Sequence, residues 1–304
     1  MKRVIGIGET VYDIIFKNNQ PLSATPGGSA FNAMISIGRM GVPCSMITNI
    51  GNDKIGDLTI KYMSDNGVDT SFAYRQEDMK SHLALAFLDE NDNAQYQFYK
   101  NHADLEMNIV DISFSNDDAV LFGSFFAINP GIRSLTRSLL TKAHDSGAFL
   151  YYDINFRASH IADIPATMDN INENMSLSTV VRGSLEDFGY LYNTEDVDEI
   201  YEKYIRPYCP YFICTDGGNP IQLRTPRFSL SFEAKKIKTV STVGAGDNFN
   251  AGFLCCLMEE KNISSLSVAE WEETHWNKLI ANGQKFSAIV CQSLGNSIPQ
   301  KTKI

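Results

Sequence analysis

Near its carboxyl end the chain reads Thr242-Val243-Gly244-Ala245-Gly246-Asp247-Asn248-Phe249-Asn250-Ala251-Gly252-Phe253. Two glycines and an alanine lead directly into an apolar run over 249–258 that has the spacing of a helix. Small residues allow backbone N–H groups to converge at a helix N-terminus, where unpaired donors and the helix dipole attract anions. The stretch predicts a turn that enters a helix, as in an α/β fold.

Asp247 lies in the first turn of this predicted helix. A carboxylate there could accept a proton from a hydroxyl, while the N–H groups of Gly244, Ala245 and Gly246 stabilise a transferring phosphoryl group. The same residues also fit an ordinary glycine-rich turn in which Asp247 caps the helix. The stretch alone does not separate these two interpretations.

Outward from this stretch, strands and helices alternate along the chain. Strands are expected at 2–7, 45–50, 119–123, 148–153, 178–181 and 211–215, and helices at 29–40, 57–64, 131–145, 185–192, 245–258 and 277–292. Such alternation predicts an α/β fold with a mainly parallel sheet and helices on both faces.

Two separated segments, 10–26 and 81–101, have a different, β-like character. The second contains a hairpin pattern around the turn-rich residues 90–93. We expect the two segments to meet in a small sheet, here called the lid. The lid would lie beside one α/β body, and the body would comprise residues 1–9, 27–80 and 102–304.

Composition and charge exclude several classes of protein. The 304 residues carry 26 Lys and Arg against 36 Asp and Glu, a net charge of −10, and no basic block interrupts it. A nucleic-acid binder that uses a basic face is therefore not expected. The longest nearly apolar stretch, 119–128, is far shorter than the roughly 18 residues of a membrane span. Six cysteines without a C-x-x-C pair predict a reducing, cytoplasmic setting.

A second glycine-rich entry to a helix reads Pro26-Gly27-Gly28-Ser29-Ala30-Phe31-Asn32-Ala33. Close approach of backbone and one amide side chain suits a sugar or another polyol, and a tight turn capped by Ser29 explains the same residues. The chain contains no Gly-Lys pair, which excludes a Walker A phosphate loop. Residues 6–11 begin like a dinucleotide fingerprint but lack its third glycine.

Together, the two glycine-rich regions resemble the signatures of the PfkB family of carbohydrate kinases, which includes ribokinase, fructokinase and ketodeoxygluconate kinase. Residues 27–41 match the first signature and residues 244–252 the second. Weaker matches are Gly8-Glu9 with Asp13, Gly51-Asn52-Asp53 with Gly56, Asp153-Ile154-Asn155-Phe156-Arg157, and Thr215-Asp216-Gly217. The resemblance implies a ribokinase-like α/β body with a β-sheet lid.

The resemblance also implies roles for individual residues. Asp247 would be the catalytic base, and the N–H groups of Gly244, Ala245, Gly246 and Asp247 would form an anion hole. Residues implied in sugar binding are Asp13, Gly27, Gly28, Asn32, Lys100 and Arg157. Residues implied near the nucleotide are Asn155, Ser184, Thr215, Gly217 and Asn282, with Asp187 organising magnesium through water. Lys100 lies in the segment 98–104, which follows the predicted hairpin. A solvated charge at the end of a lid strand explains this lysine as well as a role in sugar binding does.

Some positions depart from the family pattern. Ser241 stands where the family often has an Asp that helps bind a monovalent cation, so the resemblance does not imply activation by potassium. Ser184 and Asp187 replace the usual Asn-x-x-Glu element, and Pro220 occupies the place of a common glycine. Asp247 and its glycines are intact.

The sequence therefore predicts an ATP- and Mg²⁺-dependent kinase that phosphorylates a primary hydroxyl of a small monosaccharide. Fructose is the leading candidate. Ketodeoxygluconate, ribose or nucleoside kinases are alternatives, as is a non-catalytic sugar sensor on the same fold. We also expect a homodimer that associates through the lid, because exposed β edges invite pairing.

Overall fold

A nine-stranded sheet runs through the centre of the protein in the computed structural model, which describes residues 2–90, 94–100 and 112–300. The strands of the described chain are β1 (Arg3–Ile7), β2 (Val11–Lys17), β3 (Gln20–Gly27), β4 (Cys44–Gly51), β5 (Ala73–Gln76), β6 (Leu83–Leu88), β7 (Ala94–Tyr99), β8 (Asp118–Gly123), β9 (Phe149–Asp153), β10 (Val180–Ser184), β11 (Phe212–Thr215), β12 (Ile221–Arg224) and β13 (Ser229–Phe232). Their order in the large sheet is β13-β12-β11-β10-β9-β8-β1-β4-β5.

The large sheet is parallel from β5 to β11 and antiparallel at β12 and β13. Strands β4, β8 and β9 are buried along their whole length, because helices cover both faces of a parallel sheet. This confirms the mainly parallel α/β sheet that the alternation predicts. In a parallel sheet the carboxyl ends of neighbouring strands lie along one edge, and ligands bind outside that edge.

The helices of the described chain are α1 (Ser29–Arg39), α2 (Lys54–Asp65), α3 (Ser124–Ile128), α4 (Arg133–Asp145), α5 (Ile164–Leu177), α6 (Leu185–Tyr192), α7 (Val197–Glu199), α8 (Ala245–Leu257) and α9 (Glu273–Cys291). Short 3₁₀ turns lie at Pro130–Ile132, Ala158–Asp163 and Ser265–Glu270, and a π turn at Ile200–Ile205 extends α7. No helix among the described residues has the length and apolar character needed to cross a membrane.

Every helix and strand expected in the body is present, with ends that differ by a few residues. Strand β5, helices α3, α5 and α7, and the β12–β13 hairpin lie outside the predicted elements. The apolar residues Ile164, Met168, Ile171 and Met175 are spaced for one face of a helix, which is the signal that reveals α5. In β12, alternating apolar and polar residues give the corresponding signal for a strand.

A separate four-stranded sheet, in the order β3-β2-β6-β7, forms the lid. Strands β2 and β3 are joined by Asn18 and Asn19, both with positive φ, as a tight hairpin turn requires. Strand β6 pairs with β2 in parallel, and β7 pairs with β6 in antiparallel fashion. Segments far apart in sequence thus meet in one small sheet, as the sequence predicts. Residues 91–93 of the predicted hairpin turn lie outside the described residues.

The lid is tied to the body by Asp53, the residue that caps α2. One oxygen, Oδ1, accepts hydrogen bonds from the N–H of Gly56 (2.8 Å) and the hydroxyl of Ser81 (2.7 Å), and Oδ2 accepts the N–H of Ser81 (2.8 Å). Ser81 lies just before lid strand β6. Burial alone would raise the pKa of Asp53, but the bonds from Ser81 and Gly56 lower it. The carboxylate therefore stabilises the fold in its ionised form.

Replacing this carboxylate should loosen the junction between lid and body. We expect Asp53→Ala to lower the free energy of unfolding by about 1–2 kcal/mol, the cost of a lost helix cap. Because the pKa of Asp53 is lowered in the folded state, the difference in unfolding free energy between wild type and Asp53→Ala should be largest above about pH 4. It should disappear as the pH falls further. Urea unfolding at several pH values measures this difference.

Asp196 provides the control for this experiment, because its side chain caps the short helix α7 on the surface and contacts no lid residue among its hydrogen bonds. Asp196→Ala should cost less than Asp53→Ala. Equal urea midpoints for Asp53→Ala and wild type would show that the junction does not depend on this carboxylate.

Candidate active site

The predicted anion hole is the N-terminus of α8, at the edge of the sheet where its parallel strands end. Gly244 caps the helix with φ 76° and ψ 3°, in the left-handed region that favours glycine. A Cβ at this position would also lie 2.6 Å from the carbonyl oxygen of Asn296. Ala245, Gly246 and Asp247 form the first turn. The N–H of Ala245 donates a hydrogen bond to the carbonyl oxygen of Thr242 at 3.1 Å. The next N–H groups at this end of the helix are those of Gly246 and Asp247.

The structure brings the two signature regions together at Asp247. The side-chain amide of Asn32, from α1, donates a hydrogen bond to Asp247 Oδ2 at 2.8 Å. Burial raises the pKa of Asp247 to about 6, and the negative charge of Asp153 acts in the same direction. Hydrogen bonds from Asn32 and Ser29, and the positive charge of Arg157, oppose this rise. A carboxylate with a pKa near neutrality suits a general base.

The lid contributes a second carboxylate to the cleft. Asp13 lies on β2, paired with Thr25 of β3, and its side chain packs against Gly27. Burial raises the pKa of Asp13 to about 6. Gly28 is the cap of α1, four positions before Asn32. Gly27, Gly28 and Asn32 therefore lie on one short stretch of backbone, and Asp13 packs against its start.

A buried ionic network, which the sequence did not predict, underlies the turn before α8. Arg182 on β10 is only 6% exposed. Its Nη1 donates to Asp153 Oδ1 (2.9 Å) and its Nη2 to Thr215 Oγ1 (2.6 Å). The side-chain amide of Asn250, on α8, donates to the other oxygen of Asp153 at 2.7 Å. The signal available in the sequence was an arginine inside the apolar run of a strand, since arginine is almost never fully buried unless it is paired.

The residues predicted near the nucleotide occupy several positions along the strand ends. Thr215 belongs to the network under α8, and Gly217 follows it in an exposed turn with φ 50°. Asn155 follows β9 with a positive φ of 37°. Asn282 donates its side-chain amide to the carbonyl of Gly252 at 2.6 Å and so holds α9 against α8. Only Thr215 of these four contacts the network.

Ser184 and Asp187 form a capping box at the start of α6. Asp187 Oδ2 accepts the N–H of Ser184 at 2.7 Å, and Ser184 Oγ accepts the N–H of Asp187 at 3.1 Å. Burial raises the pKa of Asp187 to about 6. Within residues 2–90, 94–100 and 112–300 no three His, Cys, Asp or Glu side chains cluster as metal ligands. Magnesium would therefore rely on few protein groups, as it does when phosphates and water complete its shell.

Two basic residues predicted to bind sugar have different surroundings. The ammonium group of Lys100 lies 3.0 Å from both oxygens of Glu9 and 5.8 Å from the ring centre of Phe98. Arg157 is exposed, just after Phe156. The rest of the segment 98–104, Asn101, His102, Ala103 and Asp104, lies outside the described residues.

The contact between the two signature regions, from Asn32 to Asp247, agrees with a comparison of the whole chain with family models. The model described as pfkB family carbohydrate kinase matches residues 1–303. The chain belongs to the pfkB family of carbohydrate kinases. It is accordingly a sugar kinase of the PfkB type, which confirms the kinase prediction at the level of the enzyme class.

Relatives of this PfkB kinase are distant in sequence. A fructokinase of Rhizobium leguminosarum bv. trifolii is 26% identical over 277 residues, which are 89% of this chain and 84% of that protein. A fructokinase from Xylella fastidiosa, solved with bound ATP, aligns with a TM-score of 0.84 at 21% identity and covers 97% of this chain and 93% of its own.

A second PfkB structure extends the comparison to nucleosides. Aminoimidazole riboside kinase from Salmonella enterica, solved with aminoimidazole riboside and an ATP analog, aligns with a TM-score of 0.81 at 22% identity and covers 97% of this chain and 95% of its own. At such identities the likeness concerns the fold, and it confirms the ribokinase-like architecture.

The pair formed by Asn32 and Asp247 predicts the pH dependence of this PfkB kinase. If Asp247 is the catalytic base, it must be ionised to accept a proton, and kcat should fall as the pH drops through about 6. Asn32→Ala removes a bond that lowers the pKa of Asp247. The acid limb of the kcat profile should therefore move to higher pH by about one unit, the worth of one hydrogen bond to a charged group.

The profile is measured at saturating substrate, since Asn32 is also predicted to bind sugar. Asn170→Ala removes a side-chain amide that bonds the carbonyl of Ile128 and is not among the groups that shift the pKa of Asp247, so it should leave the limb in place. An unchanged limb in Asn32→Ala would mean that another group, such as Asp13, controls the profile.

Proposed function

We propose that this protein transfers the γ-phosphoryl group of ATP to a primary hydroxyl of a small neutral monosaccharide, with fructose as the leading candidate. The observation that carries the proposal is the contact of Asn32 with Asp247 at the N-terminus of α8. The contact supports the proposal, because a carboxylate of near-neutral pKa, an amide that can bind hydroxyls, and the N–H groups of a helix N-terminus lie within one small site. The fructokinase relatives support fructose as acceptor.

In this proposal, Asp13, Gly27, Gly28 and Asn32 hold the sugar, and one hydroxyl points at Asp247. The carboxylate takes the proton of that hydroxyl as it attacks, and the N–H groups of Gly246 and Asp247 stabilise the phosphoryl group in transit. The lid covers the sugar and keeps water, a competing acceptor, away from the phosphate. The body–lid boundaries at residues 9/10, 26/27, 80/81 and 101/102 belong to the same proposal.

Charge around the lid favours a neutral sugar over ketodeoxygluconate, which carries a carboxylate. Lys100 is the predicted basic residue of the lid, and Glu9 already neutralises it at 3.0 Å. Asp13 and Asp247 add negative charge to the sugar side. A substrate carboxylate would therefore face repulsion there, since like charges that are close together cost free energy.

ATP would lie beyond the turn before α8, along Asn155, Ser184, Thr215, Gly217 and Asn282. The open backbone at Gly217, where a side chain would meet no neighbour within 4 Å, leaves room for a ligand. In this proposal, Asp187 is the carboxylate that would hold magnesium through water. Magnesium, when bound, would neutralise charge on the phosphates. The ATP-bound relative supports this nucleotide. Ser241 in place of Asp supports turnover without a monovalent cation.

A nucleoside acceptor is the second candidate, because aminoimidazole riboside kinase covers 97% of this chain at a TM-score of 0.81. The catalytic end would be unchanged, since Asp247 and its turn act on any primary hydroxyl. Only the pocket between the lid and α1 would differ. A panel of acceptors distinguishes the two candidates.

The panel consists of fructose, ribose, ketodeoxygluconate, aminoimidazole riboside and adenosine, assayed by ADP release. We expect the highest kcat/KM for fructose. Asp247→Asn should lower kcat by about 10²–10⁴-fold, the usual contribution of general acid–base catalysis, with a small change in KM. The exposed Asp169 on α5 supplies the control, Asp169→Asn, which should keep wild-type kinetics. Binding without turnover of any acceptor would support the sensor instead.

We further propose a cytoplasmic homodimer that associates through the lid. All six cysteines are buried and unpaired, which suits a reducing compartment. The lid exposes Leu22 (63%) and Tyr99 (51%), and exposed apolar groups on a small sheet favour association.

Light scattering tests the dimer. Leu22→Glu should shift the mass toward 33.9 kDa, the mass of one chain, because a charge would replace an apolar contact. Leu266→Glu changes an even more exposed leucine (84%) that lies outside the lid, and it should remain dimeric. A wild-type mass of one chain at working concentration would contradict the proposal.

A further inference from the structure

Arg182 is the most buried positive charge beside the candidate active site, and no step of the proposed mechanism uses it. The guanidinium lies directly against the backbone of Gly246. A Cβ at Gly246 would lie 2.9 Å from Nη1 and 3.0 Å from Nη2 of Arg182. A side chain at Gly246 would therefore have to displace the guanidinium from its present position.

The same guanidinium joins the ends of three neighbouring parallel strands. Arg182 belongs to β10, its partner Asp153 ends β9, and its partner Thr215 ends β11. Asn250 holds the second oxygen of Asp153 and so connects these strands to α8. The centre of the Phe249 ring lies 5.8 Å from the guanidinium carbon, on another side of the group. Each of these contacts fixes the orientation of the planar fork.

Stability does not explain why a charge lies here. A buried ion pair adds little to stability, because removing two charges from water offsets their attraction, and apolar residues of similar size often serve as well. The positive charge of Arg182 would be useful if negative charge developed next to it during the reaction. A transferring phosphoryl group at the N–H groups of Gly246 and Asp247 would supply that charge.

We propose that Arg182 is a positioning residue for phosphoryl transfer, which holds the N–H of Gly246 and the hydroxyl of Thr215 in place and adds a fixed positive charge beneath the anion hole. The inference rests on the proposed function. Because Arg182 is 6% exposed, it acts through the turn and does not touch the substrate. Lysine would retain the charge but not the fork that reaches Asp153 and Thr215 together.

Three variants separate these contributions. Arg182→Lys keeps the charge and loses the fork. Arg182→Met leaves Asp153 uncompensated, and the pair Asp153→Asn with Arg182→Met removes both charges, so that a folded protein without the ion pair is available. Arg133→Lys is the matched control, because Arg133 is a largely buried arginine that bonds Asn174 and Glu173 between α4 and α5.

Steady-state kinetics at a temperature below every melting transition give the first readout. We expect Arg182→Lys to lower kcat by about 10–100-fold and the double variant by about 100-fold or more, comparable with the loss of one anion-hole donor. KM for the sugar should change less than about twofold, since the sugar side is intact. Arg133→Lys should keep the wild-type kcat.

The pH profile gives a second readout, which a purely structural role would not change. The groups that face Asp247 are Ser29 and Asn32 from α1 and Asp153 and Arg157 from β9 and the segment after it, with Arg182 beneath. In Arg182→Met the uncompensated charge of Asp153 should move the acid limb of kcat to higher pH. In Arg182→Lys and in the double variant this upward movement should be absent.

Wild-type kcat in Arg182→Lys would overturn the inference, as would equal losses of kcat in Arg182→Lys and Arg133→Lys. Failure of the proposed function would look different, because wild type itself would then turn over no acceptor of the panel. In that case the slow hydrolysis of ATP by water, which needs no sugar, provides the comparison. Equal hydrolysis by wild type and Arg182→Lys would again overturn the inference.

Discussion

The arrangement of this site depends on one completely buried side-chain amide, that of Asn248. Its Nδ2 donates to the carbonyls of Gly244 (2.8 Å) and Asn296 (2.9 Å), and its Oδ1 accepts the hydroxyl of Ser36. These partners belong to the turn before α8, to the segment after α9 and to α1. Because a buried polar group is costly unless its hydrogen bonds are made, the three segments are held in one arrangement. The contact between the two signature regions follows from that arrangement.

Features of the fold that depend on short stretches of chain could be predicted from the sequence. Alternating strands and helices reveal the parallel sheet, and the glycines before α8 reveal the turn that enters this helix, because both are properties of a dozen residues. Contacts between distant residues were not predictable. Arg182 meets its partners 29 and 33 positions away, and Lys100 meets Glu9 at a separation of 91. A single sequence does not reveal which distant carboxylate a basic residue will find, so one arginine was overlooked and one lysine was left with two interpretations.

The distribution of charge explains how a protein with a net charge of −10 can receive a polyanion. Many of its basic side chains, such as Arg75 and Lys278, are paired with carboxylates at the surface. These pairs contribute little, because water screens them. The proposed phosphate site would rely on backbone N–H groups and on one guanidinium beneath them, where the lower dielectric strengthens each interaction. Local placement of a few dipoles would thus outweigh the unfavourable overall charge.

The lid sheet passes almost directly into α1. Strand β3 ends at Gly27 and α1 begins at Ser29, so a single residue, Gly28, separates the four-stranded sheet from the helix that carries Asn32. A change in the orientation of the lid would therefore reach the amide that contacts Asp247 through one residue of backbone. In the proposed mechanism, covering of the acceptor and alignment of the base would be one event, because the same short segment connects both.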